Sequence, residues 1–185
     1  MGQITAPSAP QSIAPETWSQ LYAEKFYRTM DFSSVEIPKC PDNTARLLYV
    51  YEPQKIIELA YSSLQKAVGL RGQLPPLERI MQNESCHRNN ATVPYAIWIR
   101  KCPQLQPGTI LGNAVGDKLR PTLTEVLLYL FTDDPTLLRG NQMIVCSETK
   151  IMSHFVCITI SHGCIDVNYY YPGHQSSVPV VVMQV

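Results

Sequence analysis

In the segment SHFVCITISHGCIDVNYYY, residues 153–171, two histidines and two cysteines (His154, Cys157, His162, Cys164) fall within eleven positions. Imidazole and thiolate bind zinc and also form nucleophile–base pairs, so the stretch raises the question of a metal centre or of thiol chemistry. The spacing argues against convergence. His162-Gly163 separates two β-rich runs and predicts a two-residue reverse turn, because histidine tolerates the left-handed region and glycine favours it. Such a turn sets Ser161 opposite Cys164, Ile160 opposite Ile165, Ile158 opposite Val167 and Val156 opposite Tyr169. The apolar side chains then share one face, and Cys157, Thr159, Ser161, Cys164, Asp166 and Asn168 share the other.

In that register Cys157 lies four residues, about 13 Å, from the level of Cys164. A disulfide needs α-carbons within about 7 Å, and zinc needs ligand atoms about 2 Å away. His154 belongs to the opposite face and His162 to the turn. No metal site is expected, and the segment reads as a structural hairpin with a half-solvated polar face. The competing reading makes that face the floor of a pocket, and the candidate catalytic groups His154, Cys157 and Asp166 would then have to meet in three dimensions.

Other spacings with chemical content fall short. Cys40 and Arg46 have the C-x5-R separation of a cysteine-phosphatase loop, but Lys39 and Leu47 replace the usual flanking residues. The loop also has no glycine, and Pro41 removes an amide that phosphate would need. LGNAVGDK is one residue short of a P-loop and lacks its hydroxyl residue, so it reads as a turn between strands. Cys86 and His87 are adjacent, and sequence neighbours seldom face each other. No H-E-x-x-H, G-x-S-x-G or dinucleotide fingerprint occurs, and no cofactor is expected.

The 185 residues suffice for one buried core. Charged residues make up only 16%, with 15 Lys and Arg against 15 Asp and Glu, so the net charge is zero. A neutral, charge-poor surface resists association weakly and lacks the basic field that nucleic-acid binding requires. No run approaches the roughly 20 apolar residues of a membrane helix. The start MGQITAPSAPQSIAP has no basic or apolar leader region, so the expected location is cytoplasmic. The sequons at Asn83 and Asn90 keep a secreted reading open if a signal has been removed. The six cysteines show no C-x-x-C pair and are expected to be free, mostly buried thiols.

The elements that must position these groups fall into two halves. Residues 1–14 read as a flexible, proline-rich arm, and residues 15–185 as one globular domain. Pro15 opens a helix whose Trp18, Leu21, Tyr22, Phe26 and Met30 recur at helical spacing. Pro53 opens another, with Ile56, Ile57, Ala60, Leu64 and Ala67 inward and Gly69 at its end. A shorter helix is expected after Pro75-Pro76. TVPYAIWIRK alternates as a strand, with Tyr95, Ile97 and Ile99 on one face and Ala96, Trp98 and Arg100 on the other. Thr122-x-x-Glu125 is a capping box ahead of the enclosed helix VLLYLF. QMIVCS, SHFVCITIS, CIDVNYYY and VPVVVMQV read as consecutive strands. The expected fold is α+β, a helical N-terminal half packed on a mainly antiparallel C-terminal sheet.

Tyrosine outnumbers phenylalanine ten to four, and tyrosine suits half-buried, partner-facing positions. Trp98, Arg100, Tyr169, Tyr171 and His174 are the candidate binding residues. The chargeless ending VPVVVMQV is either a strand buried on both faces or an edge inviting strand addition. Low charge, abundant tyrosine and missing catalytic motifs point to a non-catalytic interaction or assembly module. It would act on a protein partner or on itself, with any small-molecule ligand unknown. The alternative is a thiol- or acid/base-dependent enzyme using the polar face of the hairpin.

Overall fold

In the computed structural model the described residues are 13–69, 71–76, 88, 91–115, 120–132, 135–138, 140–151 and 153–185. Most of the expected arm, the helix after Pro76, the Cys86-His87 pair and both sequon asparagines lie outside them.

Helix α1, Pro15–Phe26, starts on its proline and buries Trp18, Tyr22 and Phe26, which recur every four residues along one stripe. It ends where Tyr27 turns left-handed at φ 53°. Strand β1, Arg46–Val50, leads to α2, Pro53–Val68, which buries Ile56, Ile57, Ala60, Tyr61 and Leu64 and closes on left-handed Gly69. Strand β2 is Tyr95–Lys101.

Leu111–Val115 is a short helix, α3, where a turn between strands was expected. Helix α4, Leu123–Thr132, is buried from Leu123 through Leu130, as a segment apolar on every side must be. Its N-terminus carries the reciprocal capping box. The Thr122 N–H donates to Glu125 Oε2 at 2.7 Å, and the Glu125 N–H donates to Thr122 Oγ1 at 3.2 Å. A 3₁₀ turn, Pro135–Leu138, precedes strands β3 (Gln142–Ile151), β4 (His154–Ser161), β5 (Cys164–Tyr170) and β6 (Val180–Gln184).

The six strands form one sheet in the order β1-β2-β6-β3-β4-β5, antiparallel throughout except for the parallel β3/β6 pair. The fold is α+β. The β4/β5 hairpin has the register set by its turn: His162 and Gly163 both have positive φ, and Ser161 faces Cys164, Thr159 faces Asp166 and Cys157 faces Asn168. The uncharged last strand is central rather than marginal, held between β2 and β3 with Val180 to Met183 buried.

One sheet face packs on the helices, and this core runs from Trp18 to Met183 through Ile144, Val156, Ile158 and Val167. The opposite face departs from expectation. It is not half-solvated around Cys157, because Leu111, Met143, Val145, Phe155, Val180 and Val182 enclose that thiol in a second small core. Two irregular segments roof it and clasp each other by backbone hydrogen bonds: Leu105 with Val180 in both directions, Leu111 N–H to His174 and Gly112 N–H to Pro172. Strand β2 is buried on both faces over Ala96–Ile99.

Candidate interaction site at the outer edge of the sheet

The antiparallel register fixes which backbone groups of β5 face β4 and which face outward. Residues 165, 167 and 169 present N–H and C=O to the edge. Residues 71–73 cover the first part of it. Arg71 donates to Gly163 O at 3.0 Å, Ile165 to Arg71 O at 2.6 Å and Val167 to Gln73 O at 3.0 Å. The Gln73 N–H is taken by the Asp166 carboxylate at 2.9 Å, and Ile165 O accepts the Tyr61 hydroxyl at 2.5 Å. This strap lies so close that a Cβ on Gly72 would stand 1.8 Å from the Ile165 oxygen. Only glycine, which has no Cβ, fits there. Pro75 has no N–H and cannot continue the ladder.

Beyond the strap, the Val167 C=O, both backbone groups of Tyr169 and the Tyr171 N–H have no hydrogen-bond partner among the described residues. A groove of about 550 Å³ adjoins them, lined by Gln73, Leu74, Pro75, Pro76 and residues 166–169. A second, of about 400 Å³, lies on the α2 side of the same prolines, against Glu58, Tyr61 and Gln65. Tyr169 and Tyr171 stand 41% and 56% exposed beside this open edge. Next to them His174 stacks on Tyr170, with ring centres 4.3 Å apart, and meets Tyr171 edge-on at 6.0 Å.

No protein-family model, curated protein or solved structure matches the chain.

The residues singled out in the sequence fall into separate places. Tyr169, Tyr171 and His174 gather at the end of β5. Trp98 and Arg100 sit on β2, four strands away across the sheet. Four strand spacings amount to about 19 Å. Trp98 is buried with its indole N–H donating to Pro38 O at 2.7 Å. Arg100 bridges Asp42, at 2.7 Å, and the Gln184 amide. These two residues tie the 38–42 loop and the last strand together.

The candidate catalytic trio does not meet either. His154 faces Tyr169, with ring centres 6.4 Å apart, on the helix-covered side. Cys157 and Asp166 are on the other side, and Asp166 is level with Thr159, five residues along the strand from His154. That separation is about 16 Å. Burial raises the Cys157 thiol far above its usual range. Burial likewise raises Cys146, with the charges of Cys157 and Glu125 adding to the effect. Among the described residues no three His, Cys, Asp or Glu side chains gather in a metal-binding group, and no helix is long and apolar enough to cross a membrane.

Two features escaped sequence reasoning. The Gly72 strap carries no periodic signal, since three residues are too few to show alternation. The fully buried Glu125 carboxylate also collects Arg88 Nε and the Tyr95 hydroxyl, each at 2.8 Å, in addition to its capping bond. This network joins α4 to β2, and only the capping spacing hinted at it.

Proposed function

We propose that the chain is a non-catalytic interaction module that offers the uncovered part of β5 to an extended segment of a protein partner. The observation that carries this reading is the half-covered edge. Its first outward groups, through the Val167 N–H, are satisfied by the strap, while the Val167 C=O, both groups of Tyr169 and the Tyr171 N–H meet no partner among the described residues and lie beside exposed aromatic rings. An unpaired edge supplies main-chain hydrogen bonds, and the grooves beside it receive alternate side chains of an added strand. The thiol- or acid/base-dependent enzyme draws no support from the enclosed, protonated Cys157 or from the separation of His154 and Asp166.

Extended peptides displayed on phage and selected against the immobilised chain test the reading. Binders should perturb the amide resonances of Tyr169 and Tyr171 and lose affinity for Tyr169→Pro, which removes one outward N–H without removing any internal hydrogen bond. Binders that act elsewhere, or that bind Tyr169→Pro equally well, would overturn it.

A further inference from the structure

Resting on that reading of the edge, we propose that the partner segment enters parallel to β5, continuing the strap where the strap breaks off, and carries a basic side chain toward Asp166. The phase of the open groups carries the inference. The strap is itself parallel: Arg71 bridges Cys164 in the parallel sense, donating to Gly163 O and accepting from Ile165, and Gln73 O accepts from Val167. In a parallel ladder one residue serves a carbonyl of the neighbouring strand and the N–H two positions further on. That alternation assigns the Val167 C=O and the Tyr169 N–H to residue 75, and Pro75 has no N–H to give.

A partner residue level with Asn168 would donate to Val167 O and accept from Tyr169. The residue two further on, level with Tyr170, would donate to Tyr169 O and accept from Tyr171. Two residues thus satisfy all four open groups, and none of the strap's own bonds is disturbed. An antiparallel segment lacks this freedom. A residue opposite Val167 would donate to its C=O and accept its N–H, since a hydrogen-bonded antiparallel pair exchanges both. Gln73 O already accepts that N–H at 3.0 Å. The groove of about 550 Å³ supplies the space, with Leu74, Pro75 and Pro76 along one wall and residues 166–169 along the other.

Charge names the chemistry of the segment. Alternate residues share a face, so the side chain level with Asn168 lies on the same side as Asp166. The carboxylate is about 7 Å back along the strand, within reach of a lysine or arginine. One Asp166 oxygen accepts the Gln73 N–H, and the other has no partner among the described residues. The groove on the α2 side of the prolines carries Glu58, and no described lysine, arginine or histidine lines either groove. Acidic grooves with no cation of their own favour a basic occupant.

Peptides selected on the immobilised chain supply the probe. A nitroxide on the N-terminus of such a peptide should broaden the amides of Leu74 and Asn168 most, and one on its C-terminus those of Gly173 and His174. The peptide should carry lysine or arginine level with Asn168. Replacing that residue with glutamine should weaken binding about two- to fivefold. Asp166→Asn, which keeps an oxygen for Gln73 and loses the charge, should abolish the difference. The reverse labelling pattern overturns the proposal, and so does a basic residue whose removal costs nothing or costs as much on Asp166→Asn. Any of these results, with the peptide still bound at Tyr169, leaves the edge reading standing. Protection of the Tyr169 amide on concentrating the chain alone would make a second copy the occupant and overturn the basic partner. A library that yields no binder at Tyr169 would sink both.

Discussion

The Tyr22 hydroxyl stands where a neighbouring strand would: it donates to the Tyr49 carbonyl at 3.2 Å and accepts the Tyr51 N–H at 3.0 Å. At the opposite margin of the sheet the Tyr61 hydroxyl donates to Ile165 O. Each edge strand is thus partly sealed by a tyrosine from a helix that packs on the sheet. This explains some of the tyrosine excess without any partner. Tyr22→Phe preserves the shape and strands a buried donor and a buried acceptor, so it should lower stability by about 1–3 kcal/mol, read as the urea midpoint at unchanged slope. An unchanged midpoint would show that water replaces the hydroxyl there.

Gly72 joins the strap to β5 through a contact that no other residue fits. Gly72→Ala should lift residues 71–73 off Ile165 and Val167, cost about 1–3 kcal/mol, and open the strap to limited proteolysis. It should also lengthen the exposed edge and increase association or aggregation. A variant as stable and protease-resistant as the wild type would contradict the close approach.

The thiols separate by environment. Cys146 and Cys157 are fully buried, whereas Cys40, Cys102 and Cys164 are half-buried. A neutral thiol reagent should label Cys146 and Cys157 only as fast as the protein opens, and both at once on adding denaturant. Rapid labelling of Cys157 in the native chain would revive the thiol-enzyme alternative.

Asp42 supplies a pH test. Hydrogen bonds from the Thr44 side chain, then from Arg100 and from the Thr44 N–H, hold its carboxyl down at about 2. A depressed carboxyl stabilises the fold above its unfolded pKa, and the contribution disappears as pH falls through the folded one. The melting temperature should therefore decline between about pH 4 and pH 2 in part through Asp42. Asp42→Asn should lose that share of the decline, and an identical acid profile would remove Asp42 from the account.

Local rules carried far in this chain, and non-local pairing set their limit. The His162-Gly163 turn determined the whole β4/β5 register because two residues of positive φ leave one way to reverse. Thr122 and Glu125 marked a helix start because capping is a contact three residues apart. Pro15, Pro53 and Gly69 bounded their helices for equally local reasons. The insertion of β6 between β2 and β3 joins residues far apart in sequence, and nothing in VPVVVMQV distinguishes a central strand from an edge strand. The roof over Cys157 is built from irregular segments whose only order is mutual backbone bonding, so the alternation of β4 suggested a wet face where a second core exists. The candidate site was legible as aromatic residues, Tyr169, Tyr171 and His174. Its open backbone became visible only once the strap was placed.

Amide hydrogen exchange along β5 addresses the central claim most directly. The account predicts slow exchange at Ile165 and Val167, whose N–H groups bond the strap, and fast exchange at Tyr169 and Tyr171. Protection at Tyr169 equal to that at Val167 in dilute solution would mean that the edge is already closed.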